Sequence, residues 1–573
     1  MFNSEQSSKK SYFNEYLFDY FVNNQFGGKV GNEPKWNTFE HNGVLFPEPY
    51  KKHNIPLIYD GKEIILNPIS EEFATIYAKF LNTEYANSSK FNKNFFKDWK
   101  KILIKDGHKD IDDFAKCDFK LIYNYILKEK LKTKEKSKDE KIKIKEKKDK
   151  LEKKYKTALV DGKKQDVGNF RVEPPSLFLG RGCHPLAGKI KKRIFPEDIV
   201  INIDENSKIP ELPEFYKDRK WGEIIHDNAS EWIASWKDDI TDKFKYVWLG
   251  SKSDFKAQSD IQKFDLARKL KNKITYIKNI NYENLSSSNE KTQQLATALY
   301  LIDNFALRVG NEKGSDEADT VGVCSLRVEH VVLLDDNNVK LDFLGKDSIR
   351  YQNTIKVDDI VYNNLAKFIN GKTKKDDIFN LINTVQLNSY IGDIMSGLTA
   401  KVFRTYNASE LFQEEINKIR KKFKKEDIKH NNKIINDIIN LYIKANMKVA
   451  LLCNHQKNIS KNFKEQIGKF DDQLKKLKEI KELLLNKKND KNKRKVNTKV
   501  KKINEKIKDV KNKKNFKIEI KNLSLDTSKT NYIDPRITVS FLKKYDIDIR
   551  EVFSPTLINK FFWAMDVDEN WQF

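Results

Sequence analysis

The sequence predicts an α+β multidomain protein on three observations: proline-broken short apolar runs toward the front, long runs with helical spacing behind them, and two narrow apolar seams near the end. Residues 1–33 mix Ser, Lys, Asn and aromatics without a sustained period and read as a weakly ordered tail. Residues 34–253 hold runs such as Gly43-Val44-Leu45-Phe46 and Ile64-Ile65-Leu66 between helical segments, the pattern of a mixed α/β region. Inside it, residues of about 120–155 form a basic helical arm. From 128 to 155 the arm is nearly all charged, with Ile142, Ile144 and Leu151 as its few apolar contacts. A charge run is commonly a solvated face, and the positive bias equally suits an arm that faces a polyanion.

Residues 254–457 read mostly as helices interrupted by one β-ribbon. Val339, Leu341 and Phe343 alternate with Lys340 and Asp342, and Asp335-Asp336-Asn337-Asn338 supplies a turn before them. Lys346, directly after Gly345, then falls at a ribbon tip. Ile391, Met395, Leu398 and Val402 trace one helix face, which puts Arg404 about 200° round from Val402 and off that face. Ile435, Ile438, Tyr442, Ala445, Val449 and Leu452 mark a helix leading to His455, so a buried core histidine stands open beside a functional one. In residues 458–519 the seams are Ile467, Phe470, Leu474, Leu477, Ile480 and then Val496, Val500, Ile503, Ile507, Val510. Joined by the turn-prone Asn486 to Asn492 stretch, they predict an antiparallel helical hairpin standing out from the body, since each helix has a single apolar stripe. Residues 520–573 regain aromatics and close a small C-terminal domain.

The 573 residues suffice for several domains, and 36 Phe and 22 Tyr are far too many for a wholly disordered chain. The net charge of +26 calls for a polyanionic partner. Nucleic acid is favoured over an anionic membrane surface, because there is no apolar stretch of membrane-spanning length and the first residues do not resemble a secretory signal. Cys117, Cys183, Cys324 and Cys453 are scattered without CxxC spacing, and Cys183-His184 is an isolated pair. That pattern argues against structural zinc or a disulfide framework and for a reducing compartment.

Several chemistries lack their motif. Gly371-Lys372-Thr373 looks like the end of a phosphate-binding loop, but Ala366 stands where the loop needs its first glycine. No His-Glu-x-x-His, aspartate-rich metal motif or Gly-x-Ser-x-Gly elbow occurs. What remains is a distributed set of cations. Arg308 closes a helical run just before Gly310, and an arginine fork fits phosphate oxygens. Lys346, Arg404 and His455 complete the set. Tyr532 lies in the polar stretch Thr527 to Arg536, where a tyrosine need not be core and would ordinarily be a surface or hydrogen-bonding residue.

These segments carry a resemblance. SKTNYIDPRITV resembles the active-site tyrosine motif of eukaryotic type IB DNA topoisomerases, and LRVGNEK, DFLGKDSIRY, TAKVFRTYNAS and LCNHQ resemble its other catalytic segments in the same order. KWNTFEHNGVLF, NFFKDWKK, FRVEPPSLFLGRG and RIFPEDIVIN extend the likeness from about residue 35 to the end of the chain. The resemblance implies relaxation of supercoiled duplex DNA by transient single-strand cleavage, with a 3′-phosphotyrosine intermediate, strand rotation and religation, and with no metal, ATP or other cofactor. Tyr532 would be the nucleophile. Arg308, Arg404 and His455 would hold the non-bridging phosphate oxygens, and Lys346 would be general acid to the leaving 5′ oxygen. Arg181, Asn311, Lys313, Thr320, Lys401 and Asn531 would contact DNA, and Arg181, Asp347 and Asn531 would meet camptothecin-type inhibitors.

The implied fold is a two-lobed DNA clamp. Residues 34–253 would be a mixed α/β cap lobe, 254–457 a mainly helical catalytic core lobe resembling tyrosine recombinases, 458–519 a protruding antiparallel coiled-coil linker, and 520–573 the C-terminal domain with the nucleophile. A monomer in the nucleus is expected, with no membrane partner. The family's long charged N-terminal region, which carries import signals, is absent or reduced to about the first thirty residues, so the location rests on the resemblance. Leu179 stands where relatives often carry another basic residue, and Cys183 and Leu186 where Asn and Lys are common; both bear on upstream DNA contacts and inhibitor affinity. A site-specific tyrosine recombinase would use nearly the same constellation, but the likeness outside the catalytic segments argues against it. A non-catalytic DNA-binding coiled-coil protein would not need these five residues together.

Overall fold

The computed structural model describes residues 34–573 apart from 312–316, 429–431, 458, 460–461 and 487–492. The expected N-terminal tail, Lys313 and most of the hairpin turn lie outside the described residues. The chain divides into two compact units, one of residues 1–263 with 310–389 and one of residues 264–309 with 390–573.

The first unit holds every named strand. A four-stranded sheet runs Glu223–Ile225, Ile199–Asn202, Trp232–Lys237, Phe244–Trp248, with the first pair parallel and the rest antiparallel. Its inner face packs Ile199, Ile201, Ile233 and Val247 against Trp36, Phe39 and Val160, the last two from a neighbouring three-stranded sheet. A second core gathers round Phe91, Phe95 and Trp99, one face of the helix Ser89–Lys105. Those residues repeat at the spacing that stacks side chains on one side of a helix, and the Ser88 hydroxyl caps its start by accepting from the Phe91 amide. Gly43-Val44-Leu45-Phe46 contributes one bridge, Leu45 to Arg171, rather than a strand, and Lys62–Ile64 ends before the buried Leu66.

The basic arm departs from expectation. It is two helices, Lys120–Glu135 and Lys138–Glu152, separated at Ser137, whose hydroxyl accepts from the Glu140 amide while Glu140 accepts from the Ser137 amide. That reciprocal cap restarts the helix. Ile142, Ile144 and Leu151 are all about half exposed and pack against nothing that covers them.

The ribbon is a three-stranded antiparallel meander, Val331–Leu334, Asn338–Gly345 and Ile349–Lys356. Its first turn, three residues between the paired Leu334 and Asn338, holds Asp336 and Asn337 at φ 57° and 59°, a left-handed conformation that Asp and Asn adopt more readily than most residues. Val339, Leu341 and Phe343 are buried as alternation predicted.

Among the described residues the second unit is helical. The apolar run from Ile391 to Val402 is not one helix: Thr384–Ile394 ends, Gly397 turns at φ 77°, and a new helix runs Ala400–Lys422. The phase carried from Ile391 is therefore lost, and Val402, Phe403, Arg404 and Thr405 are all buried. Phe463–Asn486 and Lys493–Glu519 lie against each other in opposite senses, with Lys514 pairing Asp471. Val496 and Val510 are buried and Ile467, Phe470, Leu474 and Leu477 half-buried, whereas Ile480 is exposed and Leu484 takes its place on the seam. The half-buried positions 467, 470, 474, 477, 481 and 484 alternate spacings of three and four, a seven-residue repeat, and Ile480 falls one residue short of it. No helix among the described residues is long and apolar enough to cross a membrane.

Candidate active site

Four of the singled-out residues meet in the second unit. The helix Glu290–Phe305 ends at Ala306, a left-handed residue at φ 48°, and the chain turns there to present Arg308. The helix Ala400–Lys422 brings Arg404 on its second turn. The helix Asn432–Leu452 closes with Asn454 at φ 51°, with the Asn454 amide donating to Leu451 and the His455 amide to Ala450 at 2.8 Å. This C-terminal closure fixes His455 just past the helix end. The short helix Leu525–Asn531 stops at Tyr532, whose amide donates to the Ser528 carbonyl at 3.0 Å.

Tyr532 is buried, only 8% exposed, against the expectation from its polar neighbours. Arg308 Nη1 donates to its phenolic oxygen at 3.1 Å. The Arg404 guanidinium lies 5.2 Å from the centre of its ring, and the His455 ring lies 4.9 Å away at 32°. Burial pushes the Tyr532 hydroxyl up, but Arg404 and Arg308 more than offset it and hold the phenol below its ordinary value. Burial first, then the same two guanidiniums, pulls His455 down to about 3, so the ring is neutral near pH 7. Its Nδ1 is 2.8 Å from the Ser528 hydroxyl, and its Nε2 is buried with no partner.

Arg404 is 4% exposed and is held by main-chain oxygens, Nη1 donating to Ala306 and Nη2 to Cys453 at 3.0 Å. Its Nε is buried without a partner. A cation fixed this way and left with an unused donor is ready to receive an anionic oxygen. The Tyr532 main chain is pinned on its other side as well: the Ser409 hydroxyl donates to its carbonyl at 3.0 Å and accepts from the Asp534 amide at 3.0 Å. Asp534, fully buried, pairs Arg536, which also reaches Asp265 at 2.8 Å. Sequence reasoning did not single out Ser409 or Ser528. The readable signal was a small polar residue at the edge of each of two quoted motifs, the last residue of TAKVFRTYNAS and the first of SKTNYIDPRITV, the latter a single helical turn before the tyrosine.

Lys401, on the first turn of its helix, and Asn531, whose amide donates to the Thr527 carbonyl at 3.2 Å, are exposed. The remaining candidates belong to the first unit. Lys346 is exposed at the tip between Asn338–Gly345 and Ile349–Lys356, as the alternation predicted. Asp347 and Ser348 follow it at φ 69° and 57°, and Asp347 is ion-paired with Arg181. Gly182 abuts Ser348, where any Cβ would collide with the serine side chain. Asn311 is exposed and Thr320 half-buried beside Val321, whose amide donates to Leu344 at 2.8 Å.

The chain matches three family models: the eukaryotic DNA topoisomerase I DNA binding fragment over residues 34–249, the eukaryotic DNA topoisomerase I catalytic core over 252–488, and the C-terminal topoisomerase domain over 504–573. DNA topoisomerase 1 of Candidozyma auris is 38% identical over 94% of this chain and 83% of the relative. The human DNA topoisomerase 1 is 41% identical over 94% of this chain and 72% of its own length. DNA topoisomerase 1 beta of Arabidopsis thaliana is 43% identical over 94% of this chain, which spans 60% of that relative's length. By these matches the chain belongs to the eukaryotic DNA topoisomerase I family.

Proposed function

We propose that this chain relaxes supercoiled duplex DNA by cutting one strand through Tyr532, letting the cut strand rotate, and resealing it. The observation that carries the reading is the hydrogen bond of 3.1 Å from Arg308 to the buried Tyr532 phenolic oxygen, where neighbouring cations lower the phenol's pKa. Tyrosine attack on a backbone phosphorus forms a bond from phosphorus to the phenolic oxygen at the 3′ side as the bond to the 5′ oxygen breaks. The phenol gives up its proton to water as it attacks, and Lys346 supplies one to the departing 5′ oxygen; religation runs the same steps backward. Arg308, Arg404 and His455 donate to the non-bridging oxygens, where charge collects in the five-coordinate transition state. One phosphate ester replaces another of similar energy, so the exchange needs no ATP, and fixed side-chain cations take the role magnesium has in other phosphoryl transfers.

Arg181, Asn311, Lys313, Thr320, Lys401 and Asn531 are the expected DNA contacts, and the +26 charge supports backbone binding without base-specific reading. On this reading the chain acts as a nuclear monomer, and Arg181, Asp347 and Asn531 meet camptothecin-type inhibitors. Residues 34–253 form a cap lobe, 254–457 a core lobe resembling tyrosine recombinases, 458–519 a coiled-coil linker over downstream DNA, and 520–573 the domain of the nucleophile. The test is relaxation of supercoiled plasmid in EDTA without ATP, comparing the intact chain with Tyr532→Phe. Relaxation by the intact chain alone is the expected result. Equal relaxation by both would show that another residue attacks, and binding without relaxation by either would remove the enzyme reading.

A further inference from the structure

Ser528 touches both the tyrosine and the histidine. It is fully buried, its main-chain carbonyl accepts from the amides of Tyr532 and Ile533 at 3.0 Å each, and its hydroxyl lies 2.8 Å from Nδ1 of His455. A neutral imidazole carries one N–H, and the hydrogen bond made by one ring nitrogen decides which nitrogen that is. His455 is neutral at working pH because burial and two guanidiniums oppose its charge.

The geometry selects the tautomer. Among the described residues the Ser528 hydroxyl has one hydrogen-bond partner, Nδ1 of His455. A buried hydroxyl hydrogen needs an acceptor, and donation to Nδ1 provides it. The ring proton then sits on Nε2, the buried nitrogen that has no partner of its own. The opposite tautomer would strand the hydroxyl hydrogen and turn a lone pair toward an incoming anionic oxygen.

We infer that Ser528 is a positioning residue whose hydroxyl holds His455 in the Nε2–H form, so that the uncharged ring donates to a phosphate oxygen beside Tyr532. This rests on the strand-cleavage reading and adds how an uncharged histidine serves it. It also divides labour within the cluster: Arg308 and Arg404 supply charge, and His455 supplies a directed neutral donor.

The test uses the full chain and a duplex whose cut strand cannot religate, with enzyme in excess. Ser528→Ala is expected to slow covalent-complex formation about 10- to 100-fold with DNA affinity unchanged, the usual cost of losing a group that orients a working histidine. In a His455→Ala background the same change is expected to cost less than about twofold, because Ser528 acts through the ring. Nitrogen-15 spectra of histidine-labelled protein, with His455 assigned by its loss in His455→Ala, are expected to show a protonated Nε2, and Ser528→Thr, which keeps the hydroxyl, to preserve that signature. A protonated Nδ1 in the unmodified chain would overturn the inference, and that measurement stands even if Ser528→Ala fails to fold. An unchanged rate in Ser528→Ala, or an equal loss in both backgrounds, would also overturn it. Tyr532→Phe run alongside separates the two failures, since a covalent complex formed by that variant refutes the cleavage reading itself.

Discussion

On the proposed reading Tyr532 and Lys346 serve one reaction, and they occupy opposite surroundings. Tyr532 is 8% exposed, with neighbours drawn from separate stretches of chain and its main chain held from both sides. Lys346 is exposed at a ribbon tip, where the turn depends on two residues in left-handed conformation. The difference separates two demands of catalysis. Groups that face developing charge gain from a water-poor setting fixed in advance, where fields are strong. A group that hands over a proton needs reach, and a ribbon tip gives it. Damage on the buried side should therefore cost fold and rate together, and damage at the tip should cost rate alone.

The largest expected effect is Arg404→Ala. Cleavage should fall on the order of 10²- to 10³-fold. The melting temperature should fall too, because the Ala306 and Cys453 carbonyls lose their donor. An unchanged melting curve would break the comparison from the buried side. Lys346→Ala should slow single-turnover cleavage by about 10²-fold with an unchanged melting curve. The rate should recover on a substrate with sulfur in place of the leaving 5′ oxygen, which departs without a proton; failure to recover would deny Lys346 the acid role.

Smaller effects concern pH. The folded pKa of His455, about 3, lies below its ordinary value of 6.5, so the unfolded chain takes up this proton first as pH falls. The stability contribution is complete above about 6.5 and is lost as pH drops toward about 3. Denaturant titrations should show that slope diminished in His455→Gln and intact in Lys346→Ala. Cleavage by the intact chain should show no inflection near 6.5 that His455→Gln removes. The smallest effect on cleavage is expected for deletion of residues 460–518, which should leave the rate of strand scission alone and speed strand rotation. Loss of scission would tie the hairpin to the chemistry.

Much of this was legible in the sequence where a period or a motif spoke. Alternation placed Lys346 at a turn, and the three-four spacing to Leu452 placed His455 at a helix end. The failures share a physical cause: a pattern reports which faces are apolar, not whether anything covers them or where a helix restarts. Ile142, Ile144 and Leu151 lie on a helix and are left about half exposed. Gly397 resets the phase between Ile391 and Val402, so Arg404, read as off the apolar face, is buried. The burial of Tyr532 depends on tertiary partners in distant segments, and polar neighbours in sequence say nothing about those. Ser409 and Ser528 left no periodic trace, because each acts through one hydroxyl at one position.

The pinning of the Tyr532 main chain has a mechanical side. On the proposed reading, the tyrosine is for a time the sole covalent tether between protein and a rotating duplex, so torque on the DNA pulls on this one residue. Its amide is tied back to Ser528, its carbonyl to Ser409, and Ser409 in turn holds the Asp534 amide. Arg536 then spreads the tension through Asp534 to Asp265 on the helix Asp254–Leu285. Ser409→Ala would accordingly leave relaxed DNA cut and resealed at near the normal rate while making resealing falter under applied torsion, a difference that a magnetic-tweezers trace can read directly.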